Sequence, residues 1–355
     1  MCELQTVFLI FDIFVAGYRR QIQHTPEMFA LSFNGVERVE VVERRTPRIK
    51  GDMDVIVRVT TTSIGPRDLA RFAGHDPTPG TIPGGEFCGL VDEVGVGIST
   101  VDLGDLVTGI GVFDSGNGRS GFGWDDLDGA QALYVRVPLA DDTLLKVPTA
   151  GIEERALLLG DTYGLGASAV DQATAHGATD ICVIGCDPHS ASALIALAAA
   201  GITGVIVLDD EERRLGLARR LGAITFDTSE KGVEGAVREA TGGSGFAAII
   251  VGAGVYHSQM ELGLRLLRPD GIMVLTEPEL PGWSIPAIAN ERGFAITAAT
   301  PPTREDVSKT MLALWGGTLD LEPLVSHVMP LIDAEQGYRQ LHARERGANK
   351  ILLKI

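Results

Sequence analysis

The chain has 355 residues, a formal net charge of −17 and a sequence pI near 4.8. At this length two domains are expected, because single hydrophobic cores stop growing at about 250–300 residues. The 45% hydrophobic and 22% charged content is typical of a soluble globular protein. So acidic a surface repels phosphate backbones and anionic lipids, which argues against nucleic acid and membranes as partners.

Residues 1–27 precede the first clear strand and contain the apolar stretch TVFLIFDIFVAGYRR. Asp12 interrupts this run and the basic pair follows it, so the stretch fits neither a secretory signal nor a membrane span. We expect an N-terminal extension here, with a membrane-contacting helix as the alternative.

The cysteines form no CxxC pair and have no spacing typical of a disulfide framework or a zinc site. This pattern predicts small buried thiols in a reducing compartment, and therefore a cytoplasmic protein. The cysteines are Cys2, Cys88, Cys182 and Cys186.

From Met28 onward the pattern is that of short strands. Apolar and polar residues alternate in MFALSFNG, VERVEVVER and DVIVRVTTTSI, as they do in half-buried strands. Glycine and proline punctuate the chain as far as Pro148. We predict a mostly-β domain over residues 28–151, completed by the tail, residues 321–355.

Beyond Ile152, short apolar strands alternate with helical stretches. The strands are DICVIG, GVIVLD, ITFD, AAIIVG, GIMVLT and FAITAA. Such alternation predicts a parallel sheet with helices on both faces. Residues 152–320 are therefore predicted to form a doubly wound α/β domain of the nucleotide-binding type.

The turn after the first of these strands carries the predicted cofactor loop. It is GCDPHSAS, where a dinucleotide-binding loop has GxGxxG. Gly185 takes the first glycine position, Asp187 the second and Ser190 the third. The Ser190 hydroxyl can bond a phosphate. A carboxylate at Asp187 about 5 Å from a phosphate costs about 3 kcal/mol at an effective dielectric of about 20. Either Asp187 points away, or binding is weak, or the loop is rebuilt.

An acidic residue ends the second strand of this domain. In GVIVLDDEERR, Asp209 lies some twenty residues beyond the glycine loop. A carboxylate there accepts hydrogen bonds from ribose and repels a 2′-phosphate, so NAD(H) is expected in preference to NADP(H). The alternative is that Asp209 only caps the following helix, with Asp210 and Glu211.

Residues 28–355 resemble the medium-chain dehydrogenase/reductase superfamily, which includes the zinc-type alcohol dehydrogenases. The resemblance rests on DVIVRVTTTSIGPRDLARFAG, IPGGEFCGLVDEVG, GDLVTG, DGAQALYVRVPLADDTLLKVP, LGDTYGLGASAV, RRLGA and PLIDAEQGY. It implies a GroES-like catalytic domain and a Rossmann domain, with a nicotinamide cofactor in the cleft between them. It also implies a small-molecule substrate and a homodimer or homotetramer.

The departures from this family concern its metal. By the resemblance, the three catalytic zinc ligands fall on Gly65, Gly85 and Asp161, and the proton relay falls on Arg67 and Ala70. Glycine offers no ligand atom from a side chain, so two of the three ligands are gone. We therefore do not expect zinc, and we assign no metal ligand.

The structural zinc lobe of the family would lie between Gly111 and Gly129, where this chain has no cysteine. We expect a flexible polar loop there. A rearranged metal site remains the alternative. Its available ligands are Asp68, His75, Glu86, Cys88 and Asp161.

The resemblance also implies roles for other residues. Glu86 should pair with Lys350, which ties the tail to the first domain and leaves the lysine near the pyrophosphate. Tyr163 and Arg67 should border the nicotinamide, as a proton donor and a holder of anionic substrate. Two more positions should border the nicotinamide, namely Gly252 and Thr276.

We thus predict a zinc-independent oxidoreductase that moves hydride between NAD(H) and a small carbonyl, alcohol or activated alkene. Reduction of a conjugated alkene needs only hydrogen bonds and a proton donor for the developing enolate. One alternative is a degenerate dehydrogenase fold with weak or no cofactor binding, acting as a binding or non-redox biosynthetic protein. The other is an alcohol dehydrogenase with a rearranged metal site. The catalytic candidates are Tyr163, Arg67 and Asp161.

Overall fold

The computed structural model describes residues 27–75, 80–116, 118–124, 127–277, 292–345 and 347–355. The predicted N-terminal extension lies outside these ranges except for Glu27, which begins the first strand. Within the described ranges, no helix has both the length and the apolar character needed to cross a bilayer.

The first part of the chain is mostly strand. Its strands are β1 Glu27–Phe33, β2 Val39–Arg45, β3 Val55–Ile64, β4 Phe87–Val94, β5 Leu106–Gly109, β6 Val112–Asp114, β7 Arg119–Gly121, β8 Tyr134–Val137 and β9 Leu144–Lys146. Its helices are α1 Pro66–Phe72 and α2 Ala140–Thr143.

The C-terminal tail returns to this part of the molecule. It contains short 3-10 turns at Glu322–Leu324 and Leu331–Asp333, strand β16 His327–Pro330, helix α10 Ala334–His342 and strand β17 Ile351–Lys354. Among the described residues the main sheet runs β16-β17-β3-β4-β5-β9, with β8 also paired to β3. The tail therefore adds two strands to the N-terminal sheet.

Strand β3 is more buried than its sequence pattern predicts. Val55, Ile56 and Val57 are all inaccessible to solvent, although alternation predicts one exposed face. The reason is position: β17, β4 and β8 all pair with β3, and other parts of the chain cover both of its faces.

The second part of the chain alternates strand and helix. Its strands are β10 Ile181–Ile184, β11 Ile206–Asp209, β12 Ile224–Asp227, β13 Phe246–Val251, β14 Leu267–Leu275 and β15 Ala295–Ala298. Its helices are α3 Glu153–Ala156, α4 Thr162–Ala175, α5 Pro188–Ala199, α6 Glu212–Arg220, α7 Val233–Ala240, α8 His257–Leu266 and α9 Arg304–Trp315.

Within the described residues these six strands form one parallel sheet in the order β12-β11-β10-β13-β14-β15. The order reverses between β10 and β13, as in a doubly wound fold. All four residues of β10 are buried, which explains its uninterrupted apolar sequence. The strands of the first sheet lie before residue 152 or after residue 320, and the strands of the parallel sheet lie between these two predicted boundaries.

One predicted strand in the second part of the chain begins earlier than its sequence indicated. GIMVLT was predicted to be that strand, but β14 already begins at Leu267, directly after α8 ends at Leu266. Pro269 cannot donate a helical hydrogen bond, and Asp270 has a positive φ of 60°. The chain therefore leaves the helix early and enters the sheet.

The segment between Gly111 and Gly129 also differs from its prediction as a flexible polar loop. Strands β6 and β7 pair as an antiparallel hairpin. Phe113 and Phe122 on this hairpin are buried, and the Phe122 ring meets Phe87 edge-on at 5.1 Å between centroids. Aromatic packing therefore gives this segment a defined place in the first domain.

Candidate functional site

A cleft with a volume of about 320 Å³ lies between the two sheets. Asp187, Ala253 and Gly254 line it on one side, just beyond β10 and β13, and Pro66 and Arg67 line it on the other. The crevice beyond the carboxyl ends of the strands, where strand order reverses, is the place where doubly wound sheets bind ligands. The cleft is therefore the candidate cofactor site.

Gly185 makes the sharp turn from β10 into the cofactor loop. Its φ is +82°, a conformation that side chains disfavour, and a Cβ there would lie 2.9 Å from the Val255 side chain. Gly252 faces the same loop from the end of β13. A Cβ on Gly252 would lie 1.9 Å from a carboxylate oxygen of Asp187, so the loop closes tightly over that position.

The Asp187 side chain turns into the loop and caps α5. Its carboxylate accepts hydrogen bonds from the backbone nitrogens of His189 at 2.9 Å and Ala253 at 2.9 Å, and from the Ser190 hydroxyl at 2.7 Å. Asp187 thus sits as an internal anion where the first amides of α5 would otherwise meet a phosphate. The Ser190 hydroxyl donates to Asp187, and its contact with a phosphate stays a prediction.

Asp209 ends β11 as predicted, and its carboxylate is directed back at the loop. It accepts from the backbone nitrogens of Cys186 at 2.7 Å and Glu211 at 2.9 Å, and Arg214 lies 3.9 Å away. Burial raises the pKa of Asp209 although Arg214 opposes it. Glu211 and Arg214 line the cleft themselves. The bond from Glu211 lies in the turn before α6, whose N-cap is Glu211 itself and has no side-chain cap hydrogen bond. The ribose contact stays a prediction.

A smaller cavity of about 40 Å³ adjoins the cleft. Gly65, Gly85 and Asp161 line it together, as do Arg67 and Glu277, which face both spaces. Burial raises the pKa of Asp161, and the nearby Glu86 raises it further. His189 and Lys350 lower this pKa, but the net change is a rise. A protonated Asp161 is therefore favoured relative to an exposed aspartate.

The predicted contact between Glu86 and Lys350 is present. The Lys350 Nζ lies 2.6 Å from a Glu86 carboxylate oxygen, and both side chains are almost fully buried. Glu86 also accepts from the Ser63 hydroxyl at 2.6 Å and the Thr162 backbone nitrogen at 2.8 Å. Burial alone would raise the pKa of Glu86, but Lys350 and these donors hold it below its ordinary value.

The pair ties three parts of the chain together: β4, the start of α4 and the tail. The Lys350 side chain does not itself reach the cleft, and its predicted place near a pyrophosphate stays a prediction. Lys350 is 0% exposed and lines neither the cleft nor the cavity, because its ammonium is directed at Glu86.

Arg67 enters the cavity from the first turn of α1. Its guanidinium stacks over the Trp124 ring, 3.3 Å from the ring centroid, which fixes a cation beside Asp161. Asp68, the next residue, makes hydrogen bonds that hold two chain segments together. It accepts from the backbone nitrogens of Gly65 and Gly84, both at 3.0 Å, and so joins α1 to the glycine-rich loop.

Two ionisable residues that sequence analysis did not select also line the cavity. His189 lies in the first turn of α5, two residues after Asp187, and is 1% exposed; its Nδ1 lies 3.9 Å from a carboxylate oxygen of Glu277. Glu277 follows Thr276 at the end of β14, and burial raises its pKa, with Asp161 adding to the rise and His189 opposing it. Loop and strand end thus bring an imidazole and a carboxyl together.

Comparisons with known proteins identify the family. Residues 51–149 match the alcohol dehydrogenase GroES-like domain, and residues 190–277 match the zinc-binding dehydrogenase model. The chain is 31% identical to zinc-type alcohol dehydrogenase B of Aspergillus flavus, over 92% of this chain and 81% of that protein. The protein belongs to the medium-chain dehydrogenase/reductase superfamily.

Other relatives agree with this assignment. A medium chain reductase/dehydrogenase of Acremonium sp is 33% identical over 69% of this chain and 91% of its own length. The solved structure of an alcohol dehydrogenase from Thermus sp. ATN1 has a TM-score of 0.82 and 28% identity, covering 92% of this chain and 99% of that one. The predicted α/β fold class, a GroES-like unit with a Rossmann unit, is confirmed.

The cavity does not supply the donor set that its relatives' names suggest. The family's ligand positions, as inferred from the sequence, meet here as Gly65, Gly85 and Asp161, with one carboxylate among them. Glu86 is held by Lys350. Within the described residues, no group of three or more histidine, cysteine, aspartate or glutamate side chains is arranged to hold a metal ion. These residues do not fit a tetrahedral zinc site.

Tyr163 lies outside the cavity that Arg67 and Asp161 line, and its position beside a nicotinamide stays a prediction. It is 6% exposed and lines a separate groove with Pro302 and Asp306, and it is not among the residues that line the cavity. The helical turn that places Asp161 at the cavity turns Tyr163 away from it. Thr276 is 1% exposed, and its hydroxyl donates a hydrogen bond to the Val251 carbonyl at 3.1 Å.

A signal for the two missed residues existed in the sequence. His189 is an ionisable residue within a loop that otherwise approaches a cofactor, and Glu277 directly follows a strand end that was predicted to border the nicotinamide. His189 and Glu277 are close because of where β10 and β14 lie in the sheet. No local sequence pattern predicts that arrangement.

Proposed function

We propose that the protein is a zinc-independent oxidoreductase that transfers hydride between a nicotinamide cofactor and a small carbonyl, alcohol or activated alkene. Family membership supports the oxidoreductase class. The observation that carries the zinc-independent form is the cavity itself, where Gly65 and Gly85 face Asp161 beside a cleft of about 320 Å³.

The residues that line the cleft would surround such a cofactor. Asp187, Ala253 and Gly254 would lie along its phosphates, and Glu211 and Arg214 along its ribose. Glu211, which lines the cleft, supports a preference for NAD(H), because its carboxylate would repel a 2′-phosphate. When bound, a reduced nicotinamide would supply the hydride.

The residues of the cavity would supply the rest of the chemistry. Arg67, held by Trp124, would stabilise negative charge on a substrate oxygen as it develops. Asp161 and Glu277 would donate hydrogen bonds when protonated. A conjugated alkene needs the least stabilisation of developing negative charge, since its enolate spreads that charge over several atoms.

The test has two stages. The purified protein is first titrated with NADH and with NADPH by calorimetry, and it is then assayed with a panel of enones and aldehydes. We expect NADH to bind more tightly than NADPH and at least one enone to be reduced. Failure of both nucleotides to bind at millimolar concentration would overturn the redox assignment.

A second function is favoured by one observation. The Asp187 carboxylate already occupies the amides at the start of α5. If this internal anion displaces dinucleotides altogether, the protein is a degenerate member of the family that binds a different ligand or catalyses a non-redox step. The nucleotide titration separates the two proposals.

A further inference from the structure

The imidazole of His189 has no visible structural use. Within the described residues, neither of its ring nitrogens has a hydrogen-bond partner, although the side chain is 1% exposed. A buried polar group without a partner costs about 1–3 kcal/mol. Such a group in a native fold therefore calls for an explanation.

The surroundings of His189 contain charged groups from several elements. Glu277 faces it from the end of β14, and Asp161 from the start of α4. Arg67 lies across the cavity on α1, and Asp187 lies beneath it in the loop. Behind Asp161, the Glu86–Lys350 pair adds no net charge. Carboxyl groups thus dominate the positions near the imidazole.

We propose that His189 is the proton donor of this site and that Glu277 positions it and exchanges protons with it. The inference rests on the proposed function, because it assigns the proton step of the same reduction. Other candidates are less suitable: Tyr163 faces a different groove, and Arg67 keeps its proton at all ordinary pH values.

In the reduction of a conjugated enone, the reduced nicotinamide would supply a hydride with its two electrons and be oxidised as its C–H bond breaks, while a C–H bond would form at the β-carbon. The C=C π pair would become the double bond between the α-carbon and the carbonyl carbon, and the C=O π pair would move onto the oxygen. The N–H bond of protonated His189 breaks and an O–H bond forms at that oxygen, giving the enol. Glu277 then passes a proton from solvent to the neutral imidazole. The enol becomes the saturated ketone in water.

The kinetic test uses NADH and 2-cyclohexen-1-one as the probe substrate. His189→Asn keeps a polar side chain but cannot transfer a proton, and Glu277→Gln removes the ionisable partner. His257→Asn is the matched control, because His257 also stands in the first turn of a helix but lies outside the cavity.

We expect His189→Asn to lower the single-turnover rate by roughly 10²–10⁴-fold, the range for loss of a general acid. The variant should also lose the pH dependence and the solvent deuterium isotope effect, while NADH affinity stays within about twofold. His257→Asn should match the wild type. A His189→Asn rate within about threefold of the wild type, with an unchanged pH profile, would overturn the proposal.

A second measurement tests the pairing of His189 with Glu277 even if 2-cyclohexen-1-one is not reduced. It also separates this inference from the proposed function. In protein with ¹⁵N-labelled histidine, the ring nitrogen resonances of His189 are recorded with and without Glu277→Gln at one pH. We expect the substitution to move these resonances, because it removes the carboxylate that lies 3.9 Å from Nδ1. Unchanged resonances refute the pair, whereas absent NADH binding refutes the redox assignment.

Discussion

Replacing Asp187 with glycine should tighten the binding of NADH. The Asp187 carboxylate accepts from His189 and Ala253 nitrogens at 2.9 Å, at the place where a helix begins and a phosphate would dock. Two negative charges about 5 Å apart repel by about 3 kcal/mol at an effective dielectric of about 20. The donors and the solvent screen part of this repulsion. We therefore expect the Kd for NADH to fall by about 10–100-fold.

The same change should weaken the fold slightly. An N-cap aspartate contributes about 1 kcal/mol over alanine, and glycine retains most of that contribution. The Ser190 hydroxyl and the Ala253 nitrogen also lose their acceptor. We therefore expect the free energy of unfolding to fall by about 1–2 kcal/mol.

The assay is a calorimetric titration with NADH at constant ionic strength, since charge repulsion depends on salt. Thr303→Gly is the matched control. Thr303 caps α9 by accepting from the Asp306 nitrogen at 3.2 Å, and it does not line the cleft. Its loss should reduce stability without changing NADH affinity. Folded Asp187→Gly protein with equal or weaker NADH binding would show that phosphates do not approach this loop.

The remaining predictions concern stability and metal binding. Lys350→Met should lower the free energy of unfolding by about 3–5 kcal/mol, since it leaves the Glu86 carboxylate buried and unpaired. In chemical denaturation the Glu86→Leu, Lys350→Met double variant should lose less than this, and a loss equal to the sum of the Glu86→Leu and Lys350→Met losses would disprove coupling. The combined Gly65→Cys and Gly85→His variant should acquire one tightly bound zinc ion, because a Cβ at either position meets its nearest heavy atom at 3.6 Å or more; elemental analysis that finds equal zinc in the wild type would contradict us. Hydrogen bonds from Ser99 and Thr100 outweigh burial and hold the pKa of Asp141 at about 2, below its ordinary 3.8. Since this folded-state pKa is lowered, the carboxylate should stabilise the protein above about pH 4. In urea melts, the difference in unfolding free energy between the wild type and Asp141→Asn should therefore shrink between about pH 4 and pH 2. A difference that does not change with pH would contradict this role of Asp141.

Much of the fold could be predicted because its signals are local and repeated. Buried parallel strands such as β10 need continuous apolar sequence, and the helices between them begin and end at capping residues and glycines. Where prediction failed, a single residue or a distant contact decided. Pro269 ended α8 early, and the packing of Phe122 against Phe87 ordered a hairpin that composition alone suggested was a loop.

The site was predicted less completely, for a related reason. The family resemblance located Glu86 against Lys350 and assembled Gly65, Gly85 and Asp161 at one cavity. It could not state which way a substituted side chain turns. The direction of the Asp187 carboxylate depends on the free amide of Ala253, which lies 66 residues away along the chain. The orientation of Tyr163 depends on the rotation of α4.

Deuterium transfer by metal-depleted protein tests the central claim most directly. The protein is treated with a strong chelator, its zinc content is measured, and it is incubated with NADH deuterated at C4 and an enone that the native protein reduces. We expect deuterium at the β-carbon of the product, at the rate of the untreated protein. Stoichiometric zinc in the native protein, with transfer abolished by its removal and restored by its return, would contradict the account.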